Sequence, residues 1–151
     1  MFKNVVTDVD GVLTDGGFYY SSEGKILKKF GPHDSDGFAI LKEAGIKPIA
    51  ITADKRGFPI SEKRLNDMHV DIFLVPADTR FSWLCKNFKL EETIFVGDGY
   101  FDIPCIQGAK LGVAPRNAPA LVRERADFVT KASGGNGVIF ELALRLEQMD
   151  V

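Results

Sequence analysis

The feature that most restricts what this chain can become is a regular exchange between two apolar patterns. Short runs rich in Val, Ile and Phe alternate with stretches whose apolar residues recur at helical spacing, and turn signals separate them. That exchange marks a mostly parallel sheet with helices on both faces. A first strand at 5–7 (VVT) runs into Asp8-Val9-Asp10-Gly11. Residues 18–20 and 25–30 flank Ser22-Glu23-Gly24 and predict a β-hairpin projecting from the sheet. A helix over 36–44 is closed by Gly45, with Phe38, Ile40 and Leu41 on its buried side. Further strands are expected at 47–52, 71–75, 93–96, 111–113 and 127–129. Helices are expected at about 60–68, from an Asp78 or Thr79 cap to 88, then at 101–107, 119–126 and 138–149. The expected product is a doubly wound α/β domain covering 1–151.

Composition excludes several classes of function. With 151 residues, 45% of them apolar, one substantial core can form. The formal net charge of −2 has no strongly basic stretch behind it, so no nucleic-acid footprint is expected. No apolar run approaches the ~20 residues that span a bilayer. The first residues lack the apolar core of a secretory signal. Cys85 and Cys105 have no CxxC or Cys/His spacing, and both read as reduced core thiols in helices. A cytoplasmic location is the expectation from this usage.

In such folds ligands bind beyond the carboxyl ends of the strands. The first strand is followed by Asp8 and Asp10, the second of the sheet by Thr52, and the fourth by Asp98 and Asp102, while Arg80 opens the helix after the third. Singly, each has an ordinary reading: a strand-end Asp as a turn residue, Thr52 as a helix cap, Arg80 as a solvated charge, Asp98 and Asp102 as flanks of a helix start. Together on one edge they suit phosphoryl transfer. A phosphate monoester repels a carboxylate nucleophile, so positive charge must come first, and magnesium (Mg2+) held by Asp8 and Asp98, with Asp102 beside them, supplies it. Asp8 is then the nucleophile, forming an aspartyl-phosphate. Asp10 is the general acid and base, offering the metal its backbone carbonyl. Thr52 and Arg80 would bind phosphoryl oxygens, and Gly11 would let the backbone approach and donate its N–H. A calcium loop of the EF-hand type is excluded because its remaining ligands and terminal Glu are missing.

Those residues carry a resemblance. Asp8-Val9-Asp10-Gly11-Val12-Leu13-Thr14-Asp15-Gly16 resembles the signature of haloacid dehalogenase (HAD) superfamily phosphatases, and Thr52, Arg80 and Gly97-Asp98-Gly99-Tyr100-Phe101-Asp102 match its later motifs in order. The chain is most similar to the branch acting on 3-deoxy-D-manno-octulosonate 8-phosphate and on nine-carbon 2-keto-3-deoxynononate or N-acylneuraminate 9-phosphates. The resemblance implies a HAD-like Rossmannoid sheet with a hairpin flap and no cap domain. It also implies a homotetramer in which the hairpin, with Phe18, Tyr19 and Tyr20, joins neighbouring subunits. Asp34, in the loop after the hairpin, falls on an acidic position of the branch, and Asp54-Lys55 resembles an acidic–basic pair of the nine-carbon enzymes. Asp34 and Lys55 are therefore candidate substrate residues, beside the reading of Asp54 and Lys55 as a solvated loop. The glycine turn 133–137 resembles the turn before the branch's last helix.

Four positions depart from the branch. Arg80 stands where Lys is common, Gly99 where a second acid is often found, Asn136 at a position basic in some members, and Phe140 where an Arg usually opens the last helix. Two other readings compete with a sugar-acid phosphatase. One is a non-catalytic oligomerisation module of the kind fused to sugar nucleotidyltransferases, which the intact acids oppose. The other is a receiver domain, whose phosphorylated Asp follows the third strand, where this chain has none.

Overall fold

Alternate residues of the central strand feed two separate cores. In the computed structural model, which describes residues 1–149, strand β1 (Asn4–Asp8) lies mid-sheet and is buried on both sides. Val5 joins one core with Ala50, Ile94 and Val96, whereas Val6 joins the other with Ile51 and Phe95. Side chains of a strand point alternately to its two faces, so a run apolar throughout requires cover on both.

The sheet has the order β5 (Asp71–Leu74), β4 (Lys47–Thr52), β1, β6 (Thr93–Val96), β7 (Leu111–Ala114), β8 (Phe128–Val129), and every pairing is parallel. The chain winds outward from β1 in one direction and later in the other. The switch therefore falls between β1 and β6, where a crevice opens beyond the strand ends. Helix α1 (His33–Glu43), α2 (Phe58–Asp67) and α6 (Val138–Met149) cover one face through Phe38, Leu41, Leu65, Ile139 and Leu142. Helix α3 (Arg80–Asn87), α4 (Ile103–Gly108) and α5 (Ala120–Arg125) cover the other through Leu84, Ile106 and Val122. The hairpin β2 (Thr14–Ser21) and β3 (Gly24–Phe30) forms its own two-stranded sheet and leaves Phe18, Tyr19, Tyr20, Ile26 and Leu27 exposed.

The expected architecture is present, and its boundaries shift for physical reasons. Helix α1 starts at His33, three residues before the expected Asp36, after Pro32 in the capping position. Its first turn holds Asp34 and Asp36, which suit a helix N-terminus. Gly37 is tolerated inside it because a Cβ there would strike the backbone of Ile139 and Phe140, so glycine lets α1 and α6 approach. Gly45 closes α1 with positive φ, as expected. Neither Asp78 nor Thr79 caps α3 with its side chain; Ala77–Thr79 form a 3-10 turn leading into it. Tyr100–Asp102 are likewise a 3-10 turn before α4. Cys105 is buried, but Cys85 is exposed, which corrects its expected place in the core. Both thiols are free. Among the described residues no helix is long and apolar enough to cross a membrane. The last two positions of the expected 1–151 domain lie outside the described residues.

Candidate active site

β1 carries Asp8 to the centre of the crevice, and β6 delivers Asp98 and Asp102 beside it. One carboxylate oxygen from each of the three lies within 4.8 Å of the others. Directly after β1 the chain turns sharply. The N–H groups of Val12, Leu13 and Thr14 all point to the Val9 carbonyl at 2.8–3.2 Å. Gly11 adopts a φ of +87°, and a Cβ on it would overlap the Asp98 carboxylate. Only glycine lets the loop pass so close to that acid.

Crowding acids out of water raises their affinity for protons. Burial first, then the nearby charges of Asp102 and Asp98, push Asp8 well above the ordinary carboxylate range, against the pull of Arg80. Asp98 is raised as well, chiefly by burial, with Asp102 adding to it and a hydrogen bond with Asp8 opposing. Arg80 is 5% exposed, and its guanidinium bonds Asp102 and stands 3.6 Å from Asp8. Burial works against its charge, but Asp8 and Asp102 hold its pKa above the ordinary value. Three carboxylates thus face one guanidinium, a donor set that fits a hard divalent cation bound through oxygen. Asp8 and Asp98 are the acids of the three that could offer such a cation an oxygen; Asp8 Oδ1 also accepts the Val9 N–H at 2.8 Å. Asp102 accepts an Arg80 N–H at Oδ1 and, at Oδ2, the N–H groups of Asp98 and Gly99 at 3.1 and 3.0 Å. It shapes the loop that presents Asp98.

The other expected residues divide. Thr52 is buried at the end of β4, and its hydroxyl oxygen accepts the Asp54 N–H at 3.1 Å, leaving its own proton to donate. Asp10 stands at the rim with its side chain 34% exposed. The Gly11 N–H, expected to reach substrate, instead donates to the Thr14 hydroxyl at 3.1 Å. Asp34 does not join the acids. It is 2% exposed, and its Oδ1 accepts the Ile139 N–H at 2.9 Å, so it caps α6. Its Oδ2 has no partner, and burial, partly offset by the Ile139 and Phe140 N–H groups, raises its pKa to about 6. Lys55 is exposed, and its neighbour Asp54 is the one that enters the polar network.

Two groups escaped the sequence reading. Lys28 of β3 reaches Asp10 at 3.0 Å, Asp54 at 2.9 Å and the Ser61 hydroxyl at 2.8 Å. Lys25 adds a second bridge to Asp54 at 2.7 Å. Burial pulls Asp54 upward, but hydrogen bonds from Lys25, Lys28 and the Gly57 N–H outweigh it and bring its pKa to about 2. The one available signal was the strand period, which puts Lys28 on the same side as Phe30. Asn117 is the second. Its amide donates to the Gly11 carbonyl at 3.1 Å and accepts the Gly134 N–H at 2.7 Å, tying the glycine turn to the loop after β1. Nothing in its local sequence marks it.

Comparison with known proteins shows what the chain as a whole is similar to. The family described as haloacid dehalogenase-like hydrolase matches residues 83–142. The 3-deoxy-D-manno-octulosonate 8-phosphate phosphatase of Haemophilus influenzae is 32% identical over 146 residues, covering 93% of this chain and 80% of its own. The enzyme of the same name from Escherichia coli K12 is 31% identical, covering 91% of this chain and 75% of its own. Among solved structures, the cobalt-bound H. influenzae phosphatase superposes with a TM-score of 0.87 at 30% identity, over 97% of this chain and 88% of that one. The Moraxella catarrhalis phosphatase, in complex with magnesium, phosphate and 3-deoxy-D-manno-octulosonate (KDO), also gives 0.87, at 28% identity over 97% and 86%.

Proposed function

This chain belongs to the haloacid dehalogenase-like hydrolases, as a phosphatase of that family, and from that premise we propose that it hydrolyses 3-deoxy-D-manno-octulosonate 8-phosphate with magnesium. The observation that carries the reading is the convergence of Asp8, Asp98 and Asp102 within 4.8 Å, at the switch between β1 and β6. Asp8 and Asp98, with the backbone carbonyl of Asp10, would hold Mg2+, which when bound supplies the positive charge that lets a carboxylate meet a phosphate dianion. Asp8 attacks phosphorus and the sugar oxygen leaves, giving an aspartyl-phosphate. Asp10 donates its proton to that departing oxygen, then takes a proton from the water that hydrolyses the acyl phosphate, which restores Asp8 and frees inorganic phosphate. Thr52 donates its hydroxyl proton to a phosphoryl oxygen. Arg80, fixed by Asp102 3.6 Å from Asp8, balances charge beside the nucleophile.

The eight-carbon substrate is favoured by the names of the relatives. The feature that suggested nine carbons weakens in the fold, because Asp54 is taken up by Lys25 and Lys28. The hairpin's exposed aromatics support a homotetramer in which neighbouring subunits cover them. A soluble setting in the cytoplasm accords with the free thiols. The test is release of phosphate from the octulosonate 8-phosphate and from nonulosonate 9-phosphates, with Mg2+ and after chelation. The expected outcome is a kcat/KM at least about tenfold higher for eight carbons and complete loss on chelation. Turnover on neither substrate would favour a non-catalytic oligomerisation module instead.

A further inference from the structure

Among the described residues, Lys28 is the one ammonium group whose side chain is fully enclosed beside the proposed catalytic carboxylates. It belongs to the hairpin, not to the main sheet. Its side chain is 0% exposed, and its three N–H donors meet acceptors from three different segments. Asp10 comes from the loop after β1, Asp54 from the loop after β4, and Ser61 from α2. Both Asp10 oxygens lie within reach, at 3.0 and 3.2 Å. The opposite side of this junction is equally fitted. Asp54 is held by the Gly57 N–H at 3.0 Å, and a Cβ on Gly57 would overlap the Asp54 carboxylate. A group with every donor engaged has none left for a phosphate, so the geometry does not make Lys28 a substrate ligand.

We propose that Lys28 is a positioning residue: it fixes the carboxyl group of Asp10 in the orientation from which its proton reaches the leaving oxygen, and so makes the seating of the hairpin a condition of phosphoryl transfer. The proposal rests on the reading of Asp10 as general acid. Asp10 is a third exposed and stands in a loop, so without Lys28 it would sample several rotamers and present the proton correctly only part of the time. Ser61 and Asp54 act on Asp10 through Lys28, as the outer anchors of the same clamp.

The experiment exploits the leaving group. An alkyl phosphate such as a sugar phosphate needs its departing oxygen protonated, whereas p-nitrophenyl phosphate does not. In the full-length protein, Lys28→Met is expected to lower kcat/KM about 10- to 100-fold on the sugar phosphate and less than about threefold on the aryl phosphate. Asp10→Asn should show the same discrimination more strongly, and the double variant should be no slower than Asp10→Asn alone. A merely structural role would lower both substrates together. Equal losses on the two esters, or additive losses in the double variant, overturn the proposal for Lys28 while leaving Asp10 in place. Absence of discrimination in Asp10→Asn itself would instead remove the general-acid reading, and this proposal with it. Should Lys28→Met not fold, Lys28→Gln, which keeps an N–H donor, is read by the same ratio.

Discussion

Two clusters of charge sit side by side at the end of the sheet, and they are balanced differently. In the crevice between β1 and β6, three carboxylates face a single guanidinium. At the hairpin junction, Asp10 and Asp54 face Lys25 and Lys28, two charges against two. The first cluster is short of positive charge, and Asp8 and Asp98 respond by holding protons more tightly. The second satisfies itself, and Asp54 responds by releasing its proton more readily, down to about 2. A deficit of charge marks the place where something must bind. A closed balance marks the place where parts of the molecule are held together.

Breaking the deficit should have the largest effect. Asp8→Asn removes the proposed nucleophile and is expected to lower turnover more than about a thousandfold. The same change relieves the crowding of acids, so the metal-free variant should melt no lower than the parent. Phosphate release and thermal unfolding in chelator check the two halves; a variant that retains a tenth of the activity would remove Asp8 as nucleophile.

Breaking the balance should act more locally. Asp54→Ala leaves Lys25 and Lys28 without their shared partner. Hydrogen exchange across Phe18–Lys28 is then expected to quicken by about tenfold or more, while the β1 amides keep their protection. Equal acceleration in both regions would show that the hairpin is not a separately anchored unit.

The smallest effect concerns a carboxylate whose burial outweighs the pull of the charges near it. Asp34 caps α6 and rises from the ordinary value of 3.8 to about 6. Between those values the folded protein binds more protons than the unfolded chain. Its contribution to stability is therefore greatest below about pH 4 and is lost as pH rises through about 6. Asp34→Asn keeps the acceptor for Ile139 and should be more stable than the parent at pH 8 by about 1–3 kcal/mol, with the advantage vanishing toward pH 4. Urea unfolding at the two pH values measures it.

What the sequence could show follows the same division. The deficit was legible because Asp8, Asp98 and Asp102 follow strands whose apolar runs announce them, and parallel winding sends every such end to one edge. The balance was not, because Lys28 meets Ser61 across 33 positions and Asp10 across 18, and no local pattern records either pairing. Asp34 was visible as an acid but not as a cap, since its partner lies 105 positions away. Gly37 lay inside the expected helix; what stayed hidden was the first turn of α1, where residues 33–35 follow Pro32 and carry no apolar side chain that a helical period could mark. Cys85 misled for the opposite reason: its helical setting was clear, but not which side of α3 it occupies.

Asn117 has a consequence for how the enzyme comes into being. Its amide clasps a carbonyl 106 positions earlier in the chain and a glycine turn that follows it. A nascent polypeptide released only as far as α4 would already own every acid of the crevice, yet lack the brace beneath them. The loop after β1 therefore gains this brace only when Asn117 and the glycine turn that bonds it have both emerged, long after the acids themselves.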